Sequence, residues 1–357
     1  MPKTPSTLRS VPPRPRNFAV IGAGMAGISC ARTLAQAGQR VTVFDAAAAP
    51  GGRMATMESP FGSFDAGAQY FTVRDARFAR ALETVPGLCK RWSANTVQVL
   101  DALGRVAAAG LPAREPHWVP VPGMQSLVGA WARPLADAGQ IELQTRVTHI
   151  EADAMDASRW QLRTQGPGGE QKVSPAFDAV VLAVPGTQAR DLLQASKLAG
   201  LFSELDKVQI APCWTLMAAF PQAMQPNLSA LGPQWNAARS THHRVAWLAR
   251  ESSKPGRGAV ERWTVQASAA WSTEHLQDDA PRVEAKLLKA FSEITGIRAE
   301  PAHTQTRRWL YAQTTQPLGQ SHLWNAKSGI GVCGDWCLGH RVENAFVSGL
   351  EMALAAI

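Results

Sequence analysis

Residues 17–46, NFAVIGAGMAGISCARTLAQAGQRVTVFDA, constrain the fold more than any other part of the chain. The apolar run Phe18–Ile21 is predicted as a strand. A tight turn through Gly22, Ala23 and Gly24 follows, then a helix from about Met25 to Ala37, which Gly38 closes in a left-handed conformation. Val41, Val43 and Phe44 form the second strand. This strand–turn–helix–strand unit predicts an α/β fold built on a Rossmann-type domain. In GAGMAG, Gly22 permits the sharp turn, Gly24 lets the backbone approach a pyrophosphate, and Gly27 lets the helix lie close on the sheet. The helix N-terminus offers N–H groups and partial positive charge to the phosphates. Asp45 ends the second strand, eighteen residues beyond Gly27, placed to accept hydrogen bonds from a ribose diol. A free 2′-phosphate would be repelled there, so the expected dinucleotide is not NADP.

After Asp45 comes AAAAPGGRMATMESPFGSFDAGAQYF, where a simple nucleotide unit would start another crossover helix. Its glycines, proline and polar residues predict extended backbone that follows a longer cofactor, with Arg53 as a fixed cation. VPGMQSLVGAWARPLADAG, from Val121, reads as a turn and amphipathic helix. IELQTRVTHIEA reads as a strand pair, and FDAVVLAVP as a buried sheet strand. Near the end, GDWCLGHRVENAFVSGLEMA puts an aspartate, Asp335, in the loop that leads into a final helix from about Val342. The domain reading is therefore discontinuous: a basic, proline-rich tail over 1–16, a cofactor domain over 17–80, 121–190 and 325–357, and a second α+β domain over 81–120 and 191–324. Alternating stretches such as CWTLMAAF and RWTVQASAAW predict a mixed or antiparallel sheet in the second domain, covered by a helix over about 279–294.

Composition narrows the function classes. Five scattered cysteines do not suggest a disulfide framework and fit a reducing, cytoplasmic setting. No Cys or His pair completes a zinc site around Cys333 and Cys337, so no metal is expected. No apolar run approaches the roughly 20 residues that span a bilayer. The formal net charge of +8 comes without a Lys/Arg run, which favours anionic small molecules over nucleic acid. The paired His242 and His243 are expected in a loop, without a catalytic role.

The Gly51-Gly52-Arg53 run after a Rossmann unit, with the late Gly334-Asp335, resembles the FAD oxidoreductases that include amine oxidases and phytoene desaturases. FDAGAQYFTVRDARF, VPVPGM, WLARESSKPGR, RRWLYA and GDWCLGHRVENAFVSG are together similar to bacterial renalase-like proteins over nearly the whole chain. The resemblance implies noncovalent FAD, held by Gly22, Ala23, Gly24, Met25, Ala26, Phe44, Asp45, Gly52, Arg53, Met54, Val147 beside the adenine, Ala183, Gly334 and Asp335. Val342, Glu343, Asn344 and Ala345 would present the final helix's N–H groups to the electron-rich edge of the flavin. It also implies a hydride taken from 2- or 6-dihydro isomers of NAD(P)H, with oxygen as acceptor and hydrogen peroxide formed. Gln69, Tyr70, Arg308, Trp309 and Tyr311 are the candidate substrate-side residues, in a monomer or dimer. Some renalase-like sequences carry a His where this chain has Gln266, which leaves the substrate open. The alternatives are an amine oxidase of the same fold, for which no lysine beside the flavin is identifiable, and a non-catalytic FAD-binding protein.

Overall fold

A computed structural model describes residues 14–92, 97–108, 115–224, 233 and 235–357. Five parallel strands and one antiparallel edge strand form the first sheet, in the order His322–Asn325, Ile330–Cys333, Ala179–Leu182, Asn17–Ile21, Arg40–Phe44, Ile141–Glu142. Ala179–Leu182 is buried at every residue, as a strand covered on both faces must be. His322–Asn325 belongs to this sheet, so the third segment of the first unit begins earlier than residue 325.

The Met25–Gln36 helix and the last helix, Val342–Ala356, pack against each other beside the sheet. Their approach depends on small residues. A Cβ added at Gly349 would lie 2.0 Å from the Ala26 carbonyl oxygen, so backbone meets backbone. Phe78, Trp131 and Phe346 close the neighbouring core, with Phe346 5.1 Å from Phe78 and 5.5 Å from Trp131 between ring centroids. Gly349→Val should therefore cost about 1–3 kcal/mol through overpacking, read from urea unfolding. An unchanged midpoint would show that the two helices can separate freely.

The second sheet has seven strands: His303–Gln316, Gln209–Phe220, Glu261–Ala267, Val245–Arg250, Ala237–Ser240, Gln98–Leu100 and Val106–Ala108. It is antiparallel except where Ala237–Ser240 runs parallel to Gln98–Leu100. The Ala280–Thr295 helix covers it; Asp279 caps its N-terminus by accepting from the Arg282 N–H, and Gly296 ends it at φ 74°. Cys89–Trp92 and His117–Pro120, read from sequence as part of the second domain, instead form a separate two-stranded ribbon, with Trp92 and Val119 in the same core as Phe18 and Val20. No helix among the described residues is long and apolar enough to cross a membrane.

Candidate active site

A cavity of about 1470 Å³ runs from the glycine-rich turn, under the ends of the parallel strands, to the edge of the seven-stranded sheet. Ligand pockets of drug size occupy about 300–1,000 Å³, so this one has room for a long cofactor and a second molecule.

One end is built by the amino-terminal unit. The Met25–Gln36 helix starts at Gly24, and a Cβ built on Gly24 meets nothing within 4 Å, so open space lies over the turn. Gly22 has φ 109°, and a Cβ there would sit 2.6 Å from the Ala183 carbonyl oxygen. The second glycine pair docks on the first: the Gly51 N–H donates to Ala23 O at 3.0 Å, and a Cβ on Gly52 would come within 3.3 Å of Gly24 Cα. Asp45 reaches the cavity wall with its carboxylate partly engaged, accepting from the Ala23 N–H at 2.6 Å and the Ala47 N–H at 2.7 Å. A carboxylate has about four acceptor sites, so acceptor capacity remains for a diol.

The two ends of the chain meet in the middle. Arg53 donates to Asp335 through both terminal nitrogens, at 3.1 and 2.5 Å, across 282 residues of sequence. Asp335 is buried, and Thr314 Oγ1 donates to it at 3.5 Å. Read from sequence, each residue faced the cofactor separately; in the fold they form one bidentate pair on the cavity wall. The last helix begins just beyond, with Val342 and Ala345 lining the cavity and no side chain capping its first turn. Its first N–H groups and dipole favour negative charge by about 0.3–1 kcal/mol.

The far end is aromatic. Tyr70 packs on His117, Trp247 and Trp92 with centroid distances of 4.0, 5.7 and 6.3 Å. Burial, then the nearby Arg239, keeps His117 below the usual imidazole range. Trp309 donates its indole N–H to Ala66 O at 2.9 Å, and the Arg307 guanidinium lies 4.2 Å from its ring centre. Tyr311 lies in a bulge: Trp309 pairs with Cys213 and Gln313 with Ala211, so three residues oppose Pro212 alone. Pro212, on the cavity wall, has no N–H to give the ladder, which suits the register shift there.

Three of the candidate site residues, Ala23, Glu343 and Asn344, lie off the cavity wall, while Arg308 is on it. The Ala23 N–H is taken by Asp45, and Glu343 turns away from the cavity to accept from the backbone N–H groups of Arg74 and Asp75, both at 2.6 Å. Arg308 reaches the rim, but its guanidinium donates to Leu276 O at 2.9 Å and lies over Trp214; Arg307 is on the Trp309 side. A buried lysine missed in the sequence, Lys254, lies behind Gln69, donating to its Oε1 at 3.2 Å. The other candidate cofactor and substrate-side residues, including Phe44, Met54, Val147 and Ala183, are on the cavity wall.

A Rossmann turn, a second glycine pair crossing it, and a final helix aimed into the same cavity define a dinucleotide-binding oxidoreductase fold. The sequence profile of the flavin containing amine oxidoreductases matches residues 110–357, and that of the NAD(P)-binding Rossmann-like domain matches residues 20–83. The chain belongs to the flavin containing amine oxidoreductase family, and its cofactor is FAD. Among curated proteins it is similar to hydroxyneurosporene desaturase of Rubrivivax gelatinosus, 34% identical over 126 residues, or 34% of this chain and 23% of that protein. It is also similar to the hydroxyneurosporene desaturase of Cereibacter sphaeroides, 50% identical over 56 residues, or 16% of this chain and 11% of that protein. The match thus spans less than a quarter of either relative's length. The same fold is found in cyclohexylamine oxidase from Brevibacterium oxydans, with TM-score 0.70, 12% identity, and 96% and 98% of the two chains covered. Putrescine oxidase bound to putrescine gives TM-score 0.68 and 13% identity, over 95% of this chain and 98% of that one.

Proposed function

We propose that the chain is an FAD-dependent oxidase that takes a hydride from 2- or 6-dihydro isomers of NAD(P)H, giving NAD(P)⁺, and passes the electrons to oxygen as hydrogen peroxide. Bound FAD supplies the two-electron chemistry; the protein's part is binding, orientation and charge. Met25 and Ala26 at the helix start would take the diphosphate, Asp45 the ribose, Val147 the adenine side, and Val342 and Ala345 the flavin edge. Gln69, Tyr70, Trp309 and Tyr311 would bound the donor's ring.

The observation that carries the reading is the charge on the substrate-side wall. Among the described residues, the seven-stranded sheet contributes Arg239, Arg307 and Arg308 to the cavity and no Asp or Glu. Among the described lining residues, six arginines face three aspartates, Asp45, Asp191 and Asp335, none of them on the seven-stranded sheet. Such a wall attracts a phosphate-bearing donor and repels an ammonium. Amine oxidation is the second reading, favoured by the aromatic pair Tyr70 and Trp247 and by the names of the structural neighbours.

Anaerobic rapid mixing separates them. The dihydronicotinamide isomers are expected to bleach the yellow protein quickly, while ordinary 4-dihydro-NADH and primary amines leave it coloured. Rapid bleaching by an amine would establish the second reading instead; no bleaching by any donor would leave a non-catalytic flavoprotein. Separately, Asp45→Ala should weaken FAD binding by about 1–3 kcal/mol in a titration of apoprotein, the cost of unpaired polar partners. Unchanged affinity would take Asp45 off the ribose.

A further inference from the structure

Behind the segment Asp65–Tyr70 lies an ionic cluster that the proposed chemistry does not use. The side chains of Asp65, Lys254 and Arg257 are fully buried, as is that of Glu251. The Lys254 ammonium has three donors. It gives them to Glu251 Oε1 at 2.9 Å, Asp65 Oδ2 at 3.0 Å and Gln69 Oε1 at 3.2 Å. Arg257 also donates to Asp65 Oδ2, at 2.6 Å. Lys254 itself is off the cavity wall, while Gln69 is on it.

An ammonium only donates, so Gln69 must turn its amide oxygen towards Lys254. The amide nitrogen is then directed to the carbonyl oxygens of Asp65 and Gly67, at 2.5 and 3.0 Å. Gln266 donates to the same Gly67 oxygen at 2.7 Å, and Trp309 holds the Ala66 oxygen at 2.9 Å. Three successive carbonyls are thereby fixed by side chains. We propose that Lys254 is a positioning residue that acts through Gln69: it sets the direction of that amide and so holds Gly67–Tyr70 in the shape that orients the hydride donor. The inference rests on the cavity being a site of hydride transfer and is independent of which donor is used.

The test is a double-mutant cycle of Lys254→Met and Gln69→Met on the FAD-loaded protein. Each single change is expected to lower the limiting rate of anaerobic reduction roughly 10–100-fold, as misplacement of reacting groups does. The double variant should be no slower than the worse single, and both singles should change the visible circular dichroism of bound FAD in the same way. Losses that multiply in the double variant, or a Lys254→Met protein with the parent rate and spectrum, would overturn the proposal. Should Lys254→Met fail to fold, the cycle is run in a Glu251→Gln background, which removes one anion along with the cation. If dihydronicotinamides do not reduce the parent, the functional reading fails on its own, and the spectra still decide whether Lys254 acts through Gln69.

Discussion

Replacing Asp65 with alanine is expected to destabilise the protein by about 3–5 kcal/mol, the range for removing one partner of a buried ion cluster. Lys254 and Arg257 would be left without their shared anion. The Met124 N–H, which donates to Asp65 Oδ1 at 2.8 Å, and the Thr56 hydroxyl at 3.0 Å, would lose their acceptor. Urea unfolding of the FAD-loaded variant measures this; a loss under about 1 kcal/mol would mean that the cluster is solvated. The pH dependence follows the same group. Burial alone would raise the Asp65 carboxyl, but Lys254, Arg257 and the Met124 N–H outweigh it and hold it below the usual carboxylate range. A depressed folded value means that the contribution is complete above the ordinary carboxylate pKa of about 4 and is lost as pH falls through the folded value. The acid limb of the parent's stability curve should therefore flatten in Asp65→Ala. Glu251 runs the other way, since burial raises its carboxyl.

The second large effect is expected at Gly27. A Cβ there would lie 1.8 Å from Gly22 O and 3.2 Å from the Ala183 Cβ. The first contact is backbone of the turn proposed to cradle the diphosphate, so it cannot be relieved by a rotamer change. Gly27→Val should push the helix off the sheet, at a cost of about 1–3 kcal/mol or more, and lower FAD affinity by at least roughly 100-fold, since its anion-binding N–H groups move with it. Fluorescence titration of apoprotein with FAD measures the loss. A variant that binds FAD as tightly as the parent would show that the turn does not hold the cofactor.

These effects differ in how visible they are before folding. Gly27 announces itself, because strand, turn and helix signals are local and fall in one short stretch. The strand Ala179–Leu182, the Ala280–Thr295 helix with its Asp279 cap, and the last helix from Val342 are legible for the same reason. Asp65 and Lys254 are not. KPGR reads as a polar turn, charged residues are rarely buried, and the partners lie 189 residues apart. Nor can alternation along RRWLYA decide between Arg307 and Arg308, because the face each takes depends on pairing with the Gln209–Phe220 strand and on the bulge at Pro212. Nor does the sequence show where the Glu343 carboxylate goes, because the Arg74 and Asp75 N–H groups from which it accepts come from a distant loop. The order of the seven-stranded sheet, with Gln98–Leu100 beside Ala237–Ser240, is set by contacts no local pattern encodes.

The account's central claim is that the first and last segments of the chain close around one FAD. Hydrogen exchange of the apoprotein with and without FAD tests it most directly. Slowed exchange is expected together in the segments around Gly22–Gly27, Gly51–Met54 and Gly334–Ala345. Protection confined to the amino-terminal segments, with 334–345 exchanging as in the apoprotein, would contradict it.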